Sequence, residues 1–162
     1  MKEILFLLAK IMLIGIMFLL IFTFMFGVFR NTDAAMIPAV KDGDMVIFYR
    51  LDKDYVAQDT LVLEFEGQKQ ARRVVATAGD VVDITDESLL INGALQQEPG
   101  VSSPTQRYVS GVEFPLTVME GQVFVLCDSR ANAAAADSRV YGAVDIKDTL
   151  GKVITILRWR NI

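Results

Sequence analysis

The sequence predicts an all-β domain, a barrel or folded-over sheet in outline, preceded by one N-terminal transmembrane helix. Three observations point there. An uncharged apolar run extends from Ile11 to Val28. After it come short stretches of strand-forming residues separated by glycine turns. Beyond the run, no stretch repeats its apolar residues at the helical period.

The apolar run, IMLIGIMFLLIFTFMFGV, covers most of a bilayer core at about 1.5 Å per residue. Ile4 to Ala9 extends it past Lys10, whose stem can snorkel to the headgroups. Lys2, Lys10 and the amino terminus lie on one flank, which places the N-terminus in the cytoplasm and the domain outside it. A cleaved signal peptide is the competing reading, with Asp33-Ala34-Ala35 as a small-residue site, although the run exceeds the usual length of about 7–15 residues. The expected organisation is a membrane anchor over residues 1–30 and an extracytoplasmic β domain over 31–162, held at the cell membrane by a single pass.

A chain of 162 residues has room for an anchor and one domain of ordinary size. Residues 1–30 carry Lys2, Lys10 and Arg30 against Glu3, a balance of +2, so the total of -4 leaves -6 for residues 31–162. An acidic domain without a basic tract argues against nucleic acid as a partner. The single Cys127 cannot form an internal disulfide, and without histidine the usual zinc constellations are missing. No metal or cofactor is expected, and Cys127 reads as a small buried residue.

The strands follow in order. Lys41-Asp42-Gly43-Asp44 is a turn leading into Met45–Leu51. Thr60–Glu66 alternates, with Leu61, Leu63 and Phe65 on one face and Val62, Glu64 and Glu66 on the other. Gly67-Gln68 turns it into the strand that carries Arg72, completing a hairpin. Val81–Ile84 and Leu89–Ile91 come next, with Asn92-Gly93 as a turn, then a loop at Pro99–Pro104. Gln122–Leu126 and Val153–Trp159 are the late strands.

Two segments carry the chemistry: Ala35-Met36-Ile37-Pro38, with the turn ending in Gly43-Asp44, and Arg72-Arg73-Val74-Val75, ending in Gly79-Asp80. Leu90-Ile91-Asn92-Gly93 and Glu98-Pro99 follow, then Cys127-Asp128-Ser129-Arg130 and Asp137-Ser138-Arg139 with Gly142. In type and order these motifs resemble the type I signal peptidases, and the resemblance spans nearly the whole domain. It implies a signal-peptidase fold and a site built from a nucleophilic serine and a general-base lysine. Those two positions fall on Ala35 and Arg72. Alanine has no nucleophile, and arginine keeps its proton at physiological pH. Losing the nucleophile of such a unit costs roughly a millionfold in rate. A third reactive position, a serine that would support the lysine, falls within Ala133–Ala136.

With the scaffold motifs kept and the reactive ones altered together, the chain looks most like the catalytically degenerate signal peptidase homologues associated with pilus assembly in Gram-positive bacteria. The run Lys41–Tyr55 also resembles theirs. This implies a chaperone or docking factor on the outer face of the membrane, whose partners are a pilin or preprotein peptide segment and a sortase. Met36, Pro38 and Val74 are then expected to line a groove for an extended peptide. Gly43, Asp44, Arg73, Gly79, Asp80, Asp128, Asp137, Ser138 and Arg139 are expected to be structural, with Asp128 and Asp137 salt-bridged to Arg130 and Arg139. Arg72 is expected to pair with a local acid. Lys69 cannot replace the missing base, because its odd spacing from Arg72 puts it on the opposite strand face. The alternative is an active signal peptidase I with a non-standard site, in which Thr32, Ser129 or Ser138 attacks.

Overall fold

A computed structural model describes residues 2–85, 88–98, 100–101, 103–108, 110–132 and 136–158. Helix α1, Lys2–Met25, buries none of its residues. It is long and apolar enough to cross a membrane.

The helix stops earlier than expected. Phe26–Arg30 is a strand, β1, paired antiparallel with β2, Met45–Tyr49. The expected anchor through residue 30 therefore includes the first strand of the domain. Hydropathy does not register the change, because Phe26, Val28 and Phe29 are as apolar as the helix before them. Gly27 sits beneath the Phe48 ring, where a Cβ would lie 2.1 Å from a ring carbon. Arg50 closes the helix end: its N–H donates to the Met25 carbonyl at 2.9 Å, and its Nε to that of Phe26 at 3.2 Å.

The remaining strands are β3 Thr60–Phe65, β4 Gln68–Thr77, β5 Val81–Thr85, β6 Ser88–Ile91, β7 Ala94–Leu95, β8 Leu116–Thr117, β9 Gln122–Leu126, β10 Val144–Asp145 and β11 Thr149–Leu157. A short helix, α2, spans Ser138–Tyr141 between β9 and β10. One sheet has the order β1-β2-β11-β3-β4-β9-β10 and the other β7-β6-β5-β8. The expected all-β domain of curled sheets is therefore what the chain forms. The β3–β4 hairpin turns through Glu66 and Gly67, both at positive φ, as two-residue hairpin turns require. The last strand begins at Thr149, ahead of the expected Val153, and Trp159 lies outside the described residues. Helix α2 and the two-residue strands are too short to leave a periodic pattern, and the sequence does not reveal them.

Folding the sheet over itself buries both faces of β3. Leu61 and Leu63 pack with Tyr55, Val74 and Val125 in one core. Val62 enters a second core with Met36, Val46, Phe48 and Ala71. Strand β4 shifts register against β9 between Val74 and Ala76. Val74, Val75 and Ala76 are consequently all buried, and Val75 and Ala76 reach a third core under the smaller sheet with Val82, Ile84 and Phe124.

Candidate active site and peptide cleft

The loop that follows β1 is shaped by its own polar side chains. Asn31 Nδ2 donates to the Asp33 carbonyl at 2.6 Å and to that of Lys41 at 3.1 Å. Asp33 Oδ1 accepts the Ala35 N–H at 3.1 Å, the side-chain-to-backbone bond that lets Asp start a turn. Ala35 is fully buried against Cys127. Its carbonyl accepts the Ser129 N–H at 2.8 Å, tying this loop to the one after β9.

Arg72 stands opposite Leu61 in the β3–β4 pair, with its side chain 1% exposed. Its guanidinium is engaged on every nitrogen. Nε donates to the Ala136 carbonyl at 2.9 Å, Nη1 to Asp33 Oδ2 at 3.2 Å and to the Ala71 carbonyl at 2.6 Å, and Nη2 to Gln70 Oε1 at 2.8 Å. Asp33 thus bridges the two positions singled out from sequence, binding Ala35 through one oxygen and Arg72 through the other. The local acid expected beside Arg72 is Asp33. A cleft of about 370 Å³ opens over this point, lined by Asp33, Ala34, Phe65, Gln70, Arg72 and Asn132 among others.

The expected groove residues need correction. Met36 and Val74 are fully buried and fill separate cores. A peptide cannot reach them, because the sheet closes over both. Pro38 is exposed, beside the exposed Ile37. Phe65, Gln70 and Asp33 line the cleft instead. Gln70 carried a signal in the sequence, since it shares a strand face with Arg72. Asp33 carried only its nearness to Ala35, and Phe65 read as an ordinary core residue.

The residues expected to be structural hold turns, caps and ion pairs. Gly43 takes φ 85° in the turn before β2. Asp44 accepts the Lys41 N–H and pairs with Arg158 at 2.7 Å. Gly79 takes φ 91°. Asp80 accepts the Thr77 N–H at 2.9 Å and a bond from Asn92 Nδ2 at 2.8 Å. Arg73 grips Asp128 with two bonds of 2.6 Å, a bidentate pair. That pairing differs from the expected one with Arg130, which binds Glu98 at 2.6 Å. Asp137 caps α2 by accepting the Arg139 N–H and also pairs with the buried Arg139 guanidinium at 2.8 Å. Ser138 Oγ accepts the Val125 N–H at 2.9 Å. Burial pushes the Cys127 thiol up to about 12. Ala133–Ala135 lie outside the described residues.

A hydroxyl needs a base within hydrogen-bond reach. Ser138 is buried and committed to Val125, while Thr32 is exposed. The Asp59 carboxylate pushes Lys152 above its ordinary value, and Asp145 does the same to Lys147, the reverse of what a neutral base needs. Lys53 donates to the carbonyls of Lys147 and Thr149 at 3.0 and 2.6 Å. Lys69 is exposed on the strand face opposite Arg72.

Residues 4–159 match the family described as signal peptidase, peptidase S26. The signal peptidase I of Bacillus licheniformis is 29% identical over 146 residues, which cover 82% of this chain and 77% of that protein. The thylakoidal processing peptidase 1 of Arabidopsis thaliana is 32% identical over 83 residues, 51% of this chain but only 23% of that longer protein. A solved signal peptidase I from Enterococcus faecalis superposes with a TM-score of 0.50 at 27% identity, covering 63% of this chain and 97% of the other.

Proposed function

The chain belongs to the signal peptidase, peptidase S26, family, and from that premise we propose that it is a catalytically silent member that holds an extended peptide without cutting it. The observation that carries this reading is the Ala35–Asp33–Arg72 bridge. Where the family's chemistry needs a hydroxyl and a neutral amine, this chain has a methyl group and a cation locked to a carboxylate. The cleft over the bridge remains open. It offers the Gln70 amide nitrogen and the Phe65 ring, which suit main-chain hydrogen bonding and apolar side-chain contact.

Helix α1 runs directly into β1, so a cleft beside the β1 loop suits a substrate that is itself tethered to the membrane. With the N-terminus cytoplasmic, the domain works on the outer face. Its peptide there is a segment of a pilin or other exported preprotein, presented to a sortase during pilus assembly in a Gram-positive cell.

The test compares the natural chain with the Ala35→Ser/Arg72→Lys double variant, both in nanodiscs, against a labelled preprotein and a labelled pilin precursor. The expected result is binding of precursor without cleavage by the natural chain. Cleavage by the natural chain would show that another hydroxyl attacks and would overturn the assignment of silence.

A further inference from the structure

A second cleft, of about 360 Å³, lies across Phe65 from the first, and Phe65 lines both. It is lined by the apolar Leu63, Phe65 and Val144 and by Asp145 and Asp148, and Glu64 borders it from the strand, its side chain alternating to the face opposite Leu63 and Phe65. Tyr141 forms one wall, its ring 4.9 Å from that of Phe65. The Tyr141 hydroxyl is buried with no hydrogen-bond partner among the described residues. Two lysines stand nearby without lining the cleft. Lys69 is the cross-strand neighbour of Glu64, and Lys147 bridges Asp145 at 3.0 Å while remaining 76% exposed.

We propose that this second cleft receives a lysine or arginine side chain from the polypeptide held in the cleft beside Arg72. The inference rests on the peptide-holding reading and adds a required chemistry to the partner. An apolar lining beside the Asp145 and Asp148 carboxylates matches the two parts of such a side chain. Its methylene stem covers Leu63, Phe65 and Val144, and its charged head reaches the acids. A wholly apolar side chain would leave the carboxylates without a gain, and an acidic one would be repelled. The two clefts adjoin at Phe65, so one extended segment that passes this ring can reach both. The -6 balance of residues 31–162, obtained from -4 overall and +2 in residues 1–30, favours the approach of a basic segment.

The test uses the full chain in nanodiscs and dye-labelled extended peptides in which a single lysine is moved one position at a time. Each is matched by a peptide with norleucine, which keeps the stem and removes the charge. Fluorescence anisotropy should show one lysine position at which the norleucine peptide binds at least about fivefold more weakly. The Asp145→Asn/Asp148→Asn variant should lose that preference while binding the norleucine peptide as before. Equal binding of lysine and norleucine peptides at every position, or a preference that survives in the variant, overturns the inference. A second measurement titrates N-acetyl-lysine amide and follows the backbone amide resonances of Glu64, Asp145 and Asp148. Shifts there without any peptide binding would overturn the peptide-holding reading alone, and no shifts would overturn the lysine site.

Discussion

Asp33 and Arg72 form a salt bridge of 3.2 Å across 39 residues of sequence, with the arginine side chain 1% exposed and the aspartate 32% exposed. The contact makes Arg72 a structural tie between β4 and the loop after β1. A buried guanidinium is tolerated only with its charge balanced and its N–H groups satisfied, and here carboxylate, amide and carbonyl oxygens all contribute.

Replacing Arg72 should therefore cost stability. Arg72→Met strands the Ala136 and Ala71 carbonyls and the Asp33 carboxylate, and is expected to destabilise the chain by about 3–5 kcal/mol. Arg72→Lys keeps the charge but gives up the planar fork, and should cost about 1–3 kcal/mol. Chemical denaturation of micelle-solubilised chains measures both. A fully neutral Arg72→Met would mean that the bridge is not structural.

The same carboxylate governs any attempt to rebuild the dyad. A lysine at position 72 would stand beside Asp33, which favours its protonated form and raises its pKa. The Ala35→Ser/Arg72→Lys variant should then cleave only at alkaline pH. Adding Asp33→Asn should move the midpoint of the pH–rate profile down by on the order of one unit. Identical midpoints would show that Asp33 does not control the site.

Cys127 should be chemically silent in the folded chain. Burial pushes its thiol up to about 12, and the thiolate is the species that reacts. Iodoacetamide at mildly alkaline pH is expected to leave Cys127 unmodified in the native protein and to alkylate it after denaturation, as read by mass spectrometry. Rapid native labelling would contradict its placement against Ala35.

Asp44 predicts a pH dependence. The Arg158 guanidinium, and after it the Lys41 N–H, hold its carboxyl below the ordinary 3.8, outweighing burial that acts the other way. A carboxyl depressed in the folded state stabilises the fold above its unfolded pKa and loses that contribution as pH falls through the folded value. The stability gap between the natural chain and Asp44→Asn should be constant above the ordinary carboxylate range and close as pH falls through the lowered folded value. A gap that persists in acid would place its origin outside this ion pair.

Two glycines should differ in their tolerance of alanine. At Gly27 the added Cβ meets the Phe48 ring, a side chain that can shift, at a cost of about 1–3 kcal/mol. At Gly151, where φ is +145°, it meets the Tyr49 carbonyl oxygen at 2.1 Å. Backbone cannot yield there without breaking the β2–β11 pairing, so Gly151→Ala should be the more damaging. Thermal unfolding of the two variants checks the order.

The sequence by itself determined the long apolar helix, most of the long strands, the β3–β4 hairpin and the two positions, 35 and 72, that the resemblance singles out. These depend on residue type and short-range pattern: an uncharged run, alternation along Thr60–Phe65, an alanine at 35 and an arginine at 72. Tertiary structure alone decided where α1 ends, because β1 is equally apolar and becomes a strand only by pairing with β2. It also withdrew Met36 and Val74 from the groove, since a folded-over sheet buries both of its faces and alternation no longer separates inside from outside. The partner of Arg72 was likewise open in the sequence. Asp33 is one of several acids within reach of such a chain, and only the docking of the β1 loop against β4 selects it.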